Sequence, residues 1–268
     1  PLRLEPETVK ALKVFADAQN VTLSPLLFSL YLAWIWRLTG QEELVCSYPY
    51  AGRDIPGSEE IYGMFVTMGY VRQTVRPRGS FRDLVQAVHR QMLDDKEHLI
   101  ATPFDAEIAG LESLNLIFSL QSGIGLEGGF GGATYRADEL PSMTSKADLA
   151  GIFYQGADGA IEGRIEYDRS LFRPETVAGF LENLKVLVAD AAKRPDARIH
   201  ELAYQSEASM ARFMELACGP RLEEADSSIP ARFAAAAQAH PDHIALVFGE
   251  RRHTYRELAA WTDRIAAG

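Results

Sequence analysis

The run Leu26 to Leu38, LLFSLYLAWIWRL, is apolar on nearly every side. A surface helix shows an apolar stripe against a polar remainder, and this run has almost no remainder to offer water. It predicts a central helix that other elements must enclose. Thr22-Leu23-Ser24-Pro25 ahead of it is a helix-start signal, with Ser24 as N-cap and Pro25 at the first helical position. Thr39-Gly40-Gln41 ends it with a glycine cap. The run is too short to span a bilayer, and it contains Ser29 and Arg37. A chain of 268 residues, 47% of them hydrophobic, can supply the enclosing core in one or two domains.

Amphipathic patterns surround that helix. Leu4 to Asn20 reads as a helix after a short strand, with Pro6 in its first turn and Val9, Leu12, Val14, Phe15 and Ala18 as the inward stripe. Leu44 to Tyr50 is a strand. Phe81 to His98 is a helix with Phe81, Leu84, Val85, Val88 and Met92 on one face. Thr102 to Leu111 reads as a short helix and Leu114 to Gln121 as a strand, while Ser122 to Lys146 is a glycine-rich long loop or hairpin. Asp148 to Gln155 and Ala160 to Tyr167 flank an Ala157-Asp158-Gly159 turn and predict a β-hairpin. Pro174 to Lys193 is a helix with Val177, Phe180, Leu181, Leu184, Val188 and Ala191 inward. After Pro195 the chain turns polar and less periodic, Ile199 to Asp226 has short helical patches, and Glu223 to Ser228 looks like linker. A new pattern then starts: a helix from Ile229 to about His240, a strand Ile244 to Phe248, a turn at Gly249-Glu250 and a last helix. The expected division is 1–198, a linker 199–228, and a fragment of a second domain 229–268.

The stretch Ala51 to Arg72, AGRDIPGSEEIYGMFVTMGYVR, stands out within this frame. A small-residue turn with a cation, Ala51-Gly52-Arg53, leads through a polar loop into an apolar run from Ile61 to Val71. That run reads as a strand buried on both faces. Gly63 and Gly69 mark either bulges in an ordinary strand or places where another backbone or a ligand comes close. Arg53 and Arg72 are either functional cations or members of surface ion pairs.

Composition excludes several classes. A net charge of −10, spread along the chain, leaves no basic field for nucleic acid or an anionic membrane. Cys46 and Cys218 lack disulfide-framework or zinc-ligand spacing. Pro1-Leu2-Arg3-Leu4 leads straight into an amphipathic pattern, so no signal peptide is expected and a cytoplasmic setting is. None of the six histidines stands in a triad or metal-like spacing; Pro241 interrupts His240 and His243. There is no P-loop, dinucleotide fingerprint, GxSxG or HExxH. The glycines of Gly123 to Gly132 are followed by no lysine or capped helix of the kind phosphate binding needs.

The order of elements carries more than any one residue. TLSPLLFSLYLAWIWRLTGQEELVCSYPYAGRDIPGSEEIYGMFVTMGYVR resembles the C-terminal half of a nonribosomal peptide synthetase condensation domain. That family shows a buried helix, a TGQ-plus-acidic turn, a strand, an NR or GR turn, and a G-x-F-V-N strand closed by arginine. Gly52-Arg53, Gly63-Met64-Phe65-Val66 and Arg72 match these in turn. Thr102-Pro103-Phe104-Asp105 resembles a YPFE element, Phe118-Ser119-Leu120-Gln121 an FNYQ strand, and Ser145-Lys146-Ala147-Asp148-Leu149 a KFDL segment. Ile165-Glu166-Tyr167-Asp168 with Leu171-Phe172 resembles IEYN…LF. His240 to Val247 and Thr254-Tyr255-Arg256-Glu257-Leu258 look like the opening of an adenylation domain. The likeness runs through nearly the whole chain in order. Departures are Thr67 in place of Asn, Ala147 in place of Phe, the absence of RDxSRNPL-like arginines before Leu114, and the absence of the catalytic HHxxxDG, which belongs to the family's N-terminal lobe.

The resemblance implies an α/β chloramphenicol-acetyltransferase-like lobe, a mixed sheet flanked by helices, plus a small adenylation-domain fragment. It implies amide-bond formation between aminoacyl or peptidyl thioesters carried on the phosphopantetheine arms of carrier proteins. Partners would be those carriers, an N-terminal condensation lobe and an adenylation domain in cis, with ATP and Mg serving only the complete adenylation domain. Ala51, Gly52, Arg53, Gly63, Phe65, Thr67 and Gln121 would line the substrate tunnel, with Gly63 and Gly69 letting the arm approach. Arg53 would pair with a carboxylate, while Arg72 and Asp148 would give structural support. Ser122 to Lys146 would be the latch that reaches the other lobe. No residue here would be catalytic, and the chain alone would be inactive. The other readings are a non-catalytic carrier-docking module and a different acyltransferase of the same superfold.

Overall fold

The computed structural model describes residues 2–99, 115–121, 127–130, 132–136, 144–156, 158–219 and 228–267. It has two compact units, Pro1–Arg212 and Phe213–Gly268. In the first, β1 (Leu2–Leu4), α1 (Pro6–Ala18), α2 (Leu23–Thr39), β2 (Glu43–Tyr50), β3 (Thr67–Thr74), α3 (Phe81–Leu99) and β4 (Leu116–Gln121) come in turn. A small hairpin, β5 (Glu127–Phe130) and β6 (Ala133–Arg136), precedes β7 (Leu149–Gln155), β8 (Ile161–Tyr167) and α4 (Pro174–Lys193). A six-stranded mixed sheet runs β1-β8-β7-β4-β2-β3, with β2, β4 and β7 parallel and the remaining pairs antiparallel.

α2 lies at the centre, and every residue from Pro25 to Ile35 is buried. Phe28 stacks on Phe118 of β4 at 4.6 Å between centroids, and Tyr31 lies 5.7 Å from the same ring. The Trp34 indole N–H donates to the Phe180 carbonyl at 3.1 Å, which ties α2 to α4. Ser29 donates back to the Pro25 carbonyl at 2.7 Å and the Tyr31 hydroxyl to the Leu149 carbonyl at 3.4 Å, so neither hydroxyl carries an unmet bond into the core. Tyr31 needs the strand beneath it to be flat: a Cβ on Gly151 of β7 would sit 2.7 Å from its ring. α1, α3 and α4 pack round α2 and share its core with the sheet. Gly40 closes the helix at φ 70°, its N–H donating to the Trp36 carbonyl.

Some expectations are corrected. α2 starts at Leu23 after an extended Thr22, so Ser24 lies inside the first turn and is not the N-cap. Val14 is 64% exposed, and Ala16 takes the inward place expected of it. By helical periodicity Val14 lies nearly opposite the α1 face that Val9, Leu12, Phe15 and Ala16 define, and Ala18, also expected inward, is exposed. The helix expected at 102–111 lies outside the described residues.

Residues 199–204, the beginning of the expected linker 199–228, are fastened to the first unit. Ile199 and Leu202 are both buried. The Arg37 guanidinium donates to the carbonyls of Ile199, His200 and Leu202, and it lies 5.1 Å from the Trp36 ring centre and 4.9 Å from that of Tyr204. Asp190 accepts the Ala203 N–H at 2.8 Å and pairs with Arg194. The Phe81 N–H bonds the Ala197 carbonyl at 3.1 Å. α5 (Glu207–Cys218) follows and has no buried residue.

In the second unit Ser228 caps α6 (Ile229–Ala239), with Pro230 in its first turn. β9 (Ile244–Phe248) and β10 (Arg251–Thr254) pair antiparallel. Thr254 and Glu257 cap α7 (Tyr255–Ala267) reciprocally, at 3.0 and 3.3 Å. No described residue from 228 to 267 is buried. No single helix among the described residues is long and apolar enough to cross a membrane.

Two measurements check this packing. Phe118→Ala removes the ring on which Phe28 and Tyr31 rest, and chemical denaturation of the first unit will show a loss of about 3–5 kcal/mol. Arg194 holds the Asp190 carboxyl below its usual range, the Ala203 N–H adding to the effect against the opposing cost of burial. A depressed folded-state pKa gives stability that is present above the unfolded value of about 3.9 and is lost as pH falls through the folded one. The stability gap between wild type and Asp190→Asn, seen at neutral pH, will therefore narrow below about pH 4.

Candidate functional site

Between β2 and β3 the chain makes an excursion, residues 51–66, closed at its base by the pair Tyr50↔Thr67. Gly52 sits at φ 66°, and a Cβ there would lie 2.2 Å from the Phe65 carbonyl oxygen. Only glycine lets the returning limb lie so close on the outgoing one. Arg53 fills the inside of the loop. Its guanidinium donates to the carbonyls of Ser58, Ile61 (3.0 Å) and Gly63 (3.1 Å), and it stands 4.4 Å from the Phe65 ring centre. A planar cation with several donors suits this; an ammonium would not reach the same set. Among the described residues the partners of Arg53 are backbone carbonyls and a ring.

The apolar run from Ile61 was expected to be a strand buried on both faces. It is not. β3 begins only at Thr67, because β2 ends at Tyr50 and offers the earlier residues no ladder. Tyr62 is 103% exposed and Met64 80%, and Ile55, Ile61 and Val66 also face outward. A loop braced from within by Arg53 therefore carries an apolar ridge on its outside, a patch of the kind that marks an interaction surface.

Beside the ridge the sheet has a seam. β4 pairs β7 through every residue from Leu116↔Leu149 to Gln121↔Tyr154, but it pairs β2 only at Ser47↔Ile117. The Ser47 hydroxyl donates to the Leu116 carbonyl at 3.1 Å and helps hold that single point. Beyond it the ladder stops, at the carboxyl ends of parallel strands, where α/β sheets commonly receive ligands. The Ala51-Gly52-Arg53 turn and Gln121 both stand at this end.

The residues singled out from sequence do not all meet. Ala51, Gly52, Arg53, Gly63, Phe65 and Thr67 gather on and around the loop. By strand alternation Thr67 shares the helix-covered face with Gly69 and Val71, while Gln121 shares the opposite face with Ile117 and Ser119. The close neighbour of Gly69 is the Tyr48 ring, 2.4 Å from where a Cβ would sit. Tyr48 is buried, its hydroxyl has no partner among the described residues, and burial, with Asp95 and Tyr50 adding, raises its pKa. Arg72 makes an exposed 3.2 Å pair with Glu43 at the other end of the β2–β3 hairpin. Asp148 stands ahead of β7, also at the far end, its carbonyl accepting the Asp168 N–H at 3.1 Å. Most of 122–146, the expected latch, lies outside the described residues. Sequence reasoning missed the contact of Tyr50, Asp54 and Lys96, since nothing periodic joins a loop aspartate to a lysine late in α3. Among the described residues no group of three His, Cys, Asp or Glu is placed to hold a metal.

Comparison with known proteins adds to this geometry. The condensation-domain family profile matches residues 1–214. Surfactin synthase subunit 1 of Bacillus subtilis is 28% identical over 100% of the chain and 8% of its own length. Phosphinothricin tripeptide synthetase PhsB of Streptomyces viridochromogenes is 30% identical over 97% of the chain and 23% of its length. The chain thus spans a small part of these relatives. Among solved structures, the first condensation domain of the CDA synthetase aligns with TM-score 0.63 and 20% identity, over 76% of this chain and 47% of that one. A four-domain nonribosomal peptide synthetase, holo-AB3403, aligns with TM-score 0.73 and 16% identity, over 99% and 22%.

The loop is testable directly. Gly52→Ala will destabilise the first unit by more than about 1 kcal/mol, since φ is positive and a carbonyl blocks the methyl. It will also speed proteolysis within 54–66. Gly179→Ala on α4, where a Cβ meets nothing within 4 Å, will be neutral or stabilising in the same thermal melt.

Proposed function

This chain belongs to the condensation-domain family, and on that premise we propose that it is the C-terminal lobe of such a domain within a nonribosomal peptide synthetase. In this reading 1–198 form the lobe, 199–228 the connection, whose first residues to 204 are fastened to the lobe, and 229–268 the opening of an adenylation domain. The observation that carries it is the loop 51–66, rigid inside and apolar outside, standing at an open seam of the sheet. Such a ridge serves as one wall of a cleft whose other wall comes from further polypeptide. Alignment to under half of a condensation domain supports this, as does the absence of HHxxxDG. The lack of any buried residue in 228–267 supports reading that unit as part of a larger domain.

The chemistry follows from the family. Two carrier proteins present their thioesters on phosphopantetheine arms. The acceptor amine attacks the donor thioester carbon, the thiolate leaves with the amine proton, and an amide remains. A pantetheine arm is an extended chain bearing amides. The seam fits it, because the β2–β4 ladder ends at Ser47↔Ile117 and Gln121 adds a side-chain amide. This chain's share is positional: Gly52, Arg53 and Phe65 hold the wall, Gln121 offers hydrogen bonds, and Thr67 supports the loop base. Holding both reactants in attack geometry is worth several powers of ten in rate without a strong base here. The reacting histidine lies on the partner lobe, and this chain alone forms no amide. ATP and Mg belong to the completed adenylation domain; residues 228–267 show no metal-holding cluster, and no step here uses them. The synthetase works in the cytoplasm.

The test supplies the parent synthetase with two loaded carriers and follows amide formation by mass spectrometry. Product is expected, and Arg53→Ala will lower turnover at least about tenfold. Carrier binding without product would favour the docking-module reading. Turnover of free coenzyme A esters would favour another acyltransferase of the superfold.

A further inference from the structure

We infer that Lys96, acting through Asp54, is a positioning residue that aims the Arg53 loop over the seam; the inference rests on reading that seam as the substrate wall. Arg53 makes its contacts with Ser58, Ile61, Gly63 and Phe65, all within the loop itself. The Gly52–Phe65 approach is internal as well. These contacts make the excursion stiff but leave it free to swing as a body about its base at Tyr50↔Thr67. Among the described residues, outward polar contacts run through the neighbouring residue, Asp54. Lys96 Nζ reaches Asp54 Oδ1 at 2.7 Å, and the Tyr50 hydroxyl donates to Asp54 Oδ2.

One carboxylate thereby joins the last residue of β2, the loop and the C-terminal turn of α3. Three elements meet at a point directly beside Arg53. Lys96 and the Tyr50 hydroxyl hold the Asp54 carboxyl below its usual range, and Asp54 in turn raises Lys96, so the pair stays charged through neutral pH. Both partners are partly exposed, at 47% and 34% of their side chains, so the pair adds little to global stability. Its effect is on direction: with it the ridge has one orientation relative to α3, and without it several.

The experiment uses the parent synthetase carrying Lys96→Met, Asp54→Asn or Lys96→Arg. Hydrogen exchange in 54–66 is expected to rise about tenfold in the first two, with exchange elsewhere and the melting temperature unchanged. Condensation turnover falls about tenfold while KM for each carrier stays within about twofold, and Lys96→Arg recovers most of both. Unchanged exchange in the Met and Asn variants overturns the inference, as does a rise spread over the whole unit. A loosened loop with wild-type turnover overturns it too, since the orientation would then not matter to the reaction. If wild type itself forms no amide, it is the proposed function that fails, and the exchange data still judge the clamp.

Discussion

A helix without a polar side has to be surrounded, and that single demand organises the first unit. α2 cannot lie on the surface, so a sheet takes one flank and α1, α3 and α4 take the rest. The aromatic layer of Phe28, Tyr31 and Phe118 is the seam of that enclosure. Because Tyr31 rests on Gly151 and Phe118 is spent on the same face, that face of β4 and β7 is closed to any ligand. What remains open are the other face and the strand ends, and the candidate site lies at those ends.

The elements legible in the sequence are those whose side chains answer to one environment. α3 and α4 each carry a stripe that meets the core, the β7–β8 hairpin turns at Gly159, and Gly40 stops α2 where a left-handed residue was called for. Local pattern and tertiary packing agree in these cases. Val14 departs because helical spacing turns it nearly opposite the face of Val9, Leu12 and Phe15, so that its apolar type there marks no burial.

The site was harder to read, for a physical reason. An apolar run says that contact with water is unfavourable, but it does not say whose surface relieves it. Ile61 to Val66 looked like a strand interior because a buried strand and a docking ridge have the same composition. Only the register, which ends at Tyr50↔Thr67, tells them apart. Gly69 likewise signalled a close neighbour correctly and left its identity open; that neighbour is Tyr48 on the adjoining strand. Arg53 was legible as a turn cation, yet its partners are carbonyls, which every residue possesses and no sequence pattern marks.

The lashing of residues 199–204 has a mechanical corollary. Arg37 grips the carbonyls of Ile199, His200 and Leu202 and is itself sandwiched by Trp36 and Tyr204, so torsion applied further along the chain is resisted before it reaches Tyr204. Ser206 already caps the first turn of α5 by accepting the Ser209 N–H. Gln205 alone stands between those two fixtures. Any swivel at this point of the chain is confined to the backbone of essentially one residue, which makes it a narrow pivot and not a slack tether.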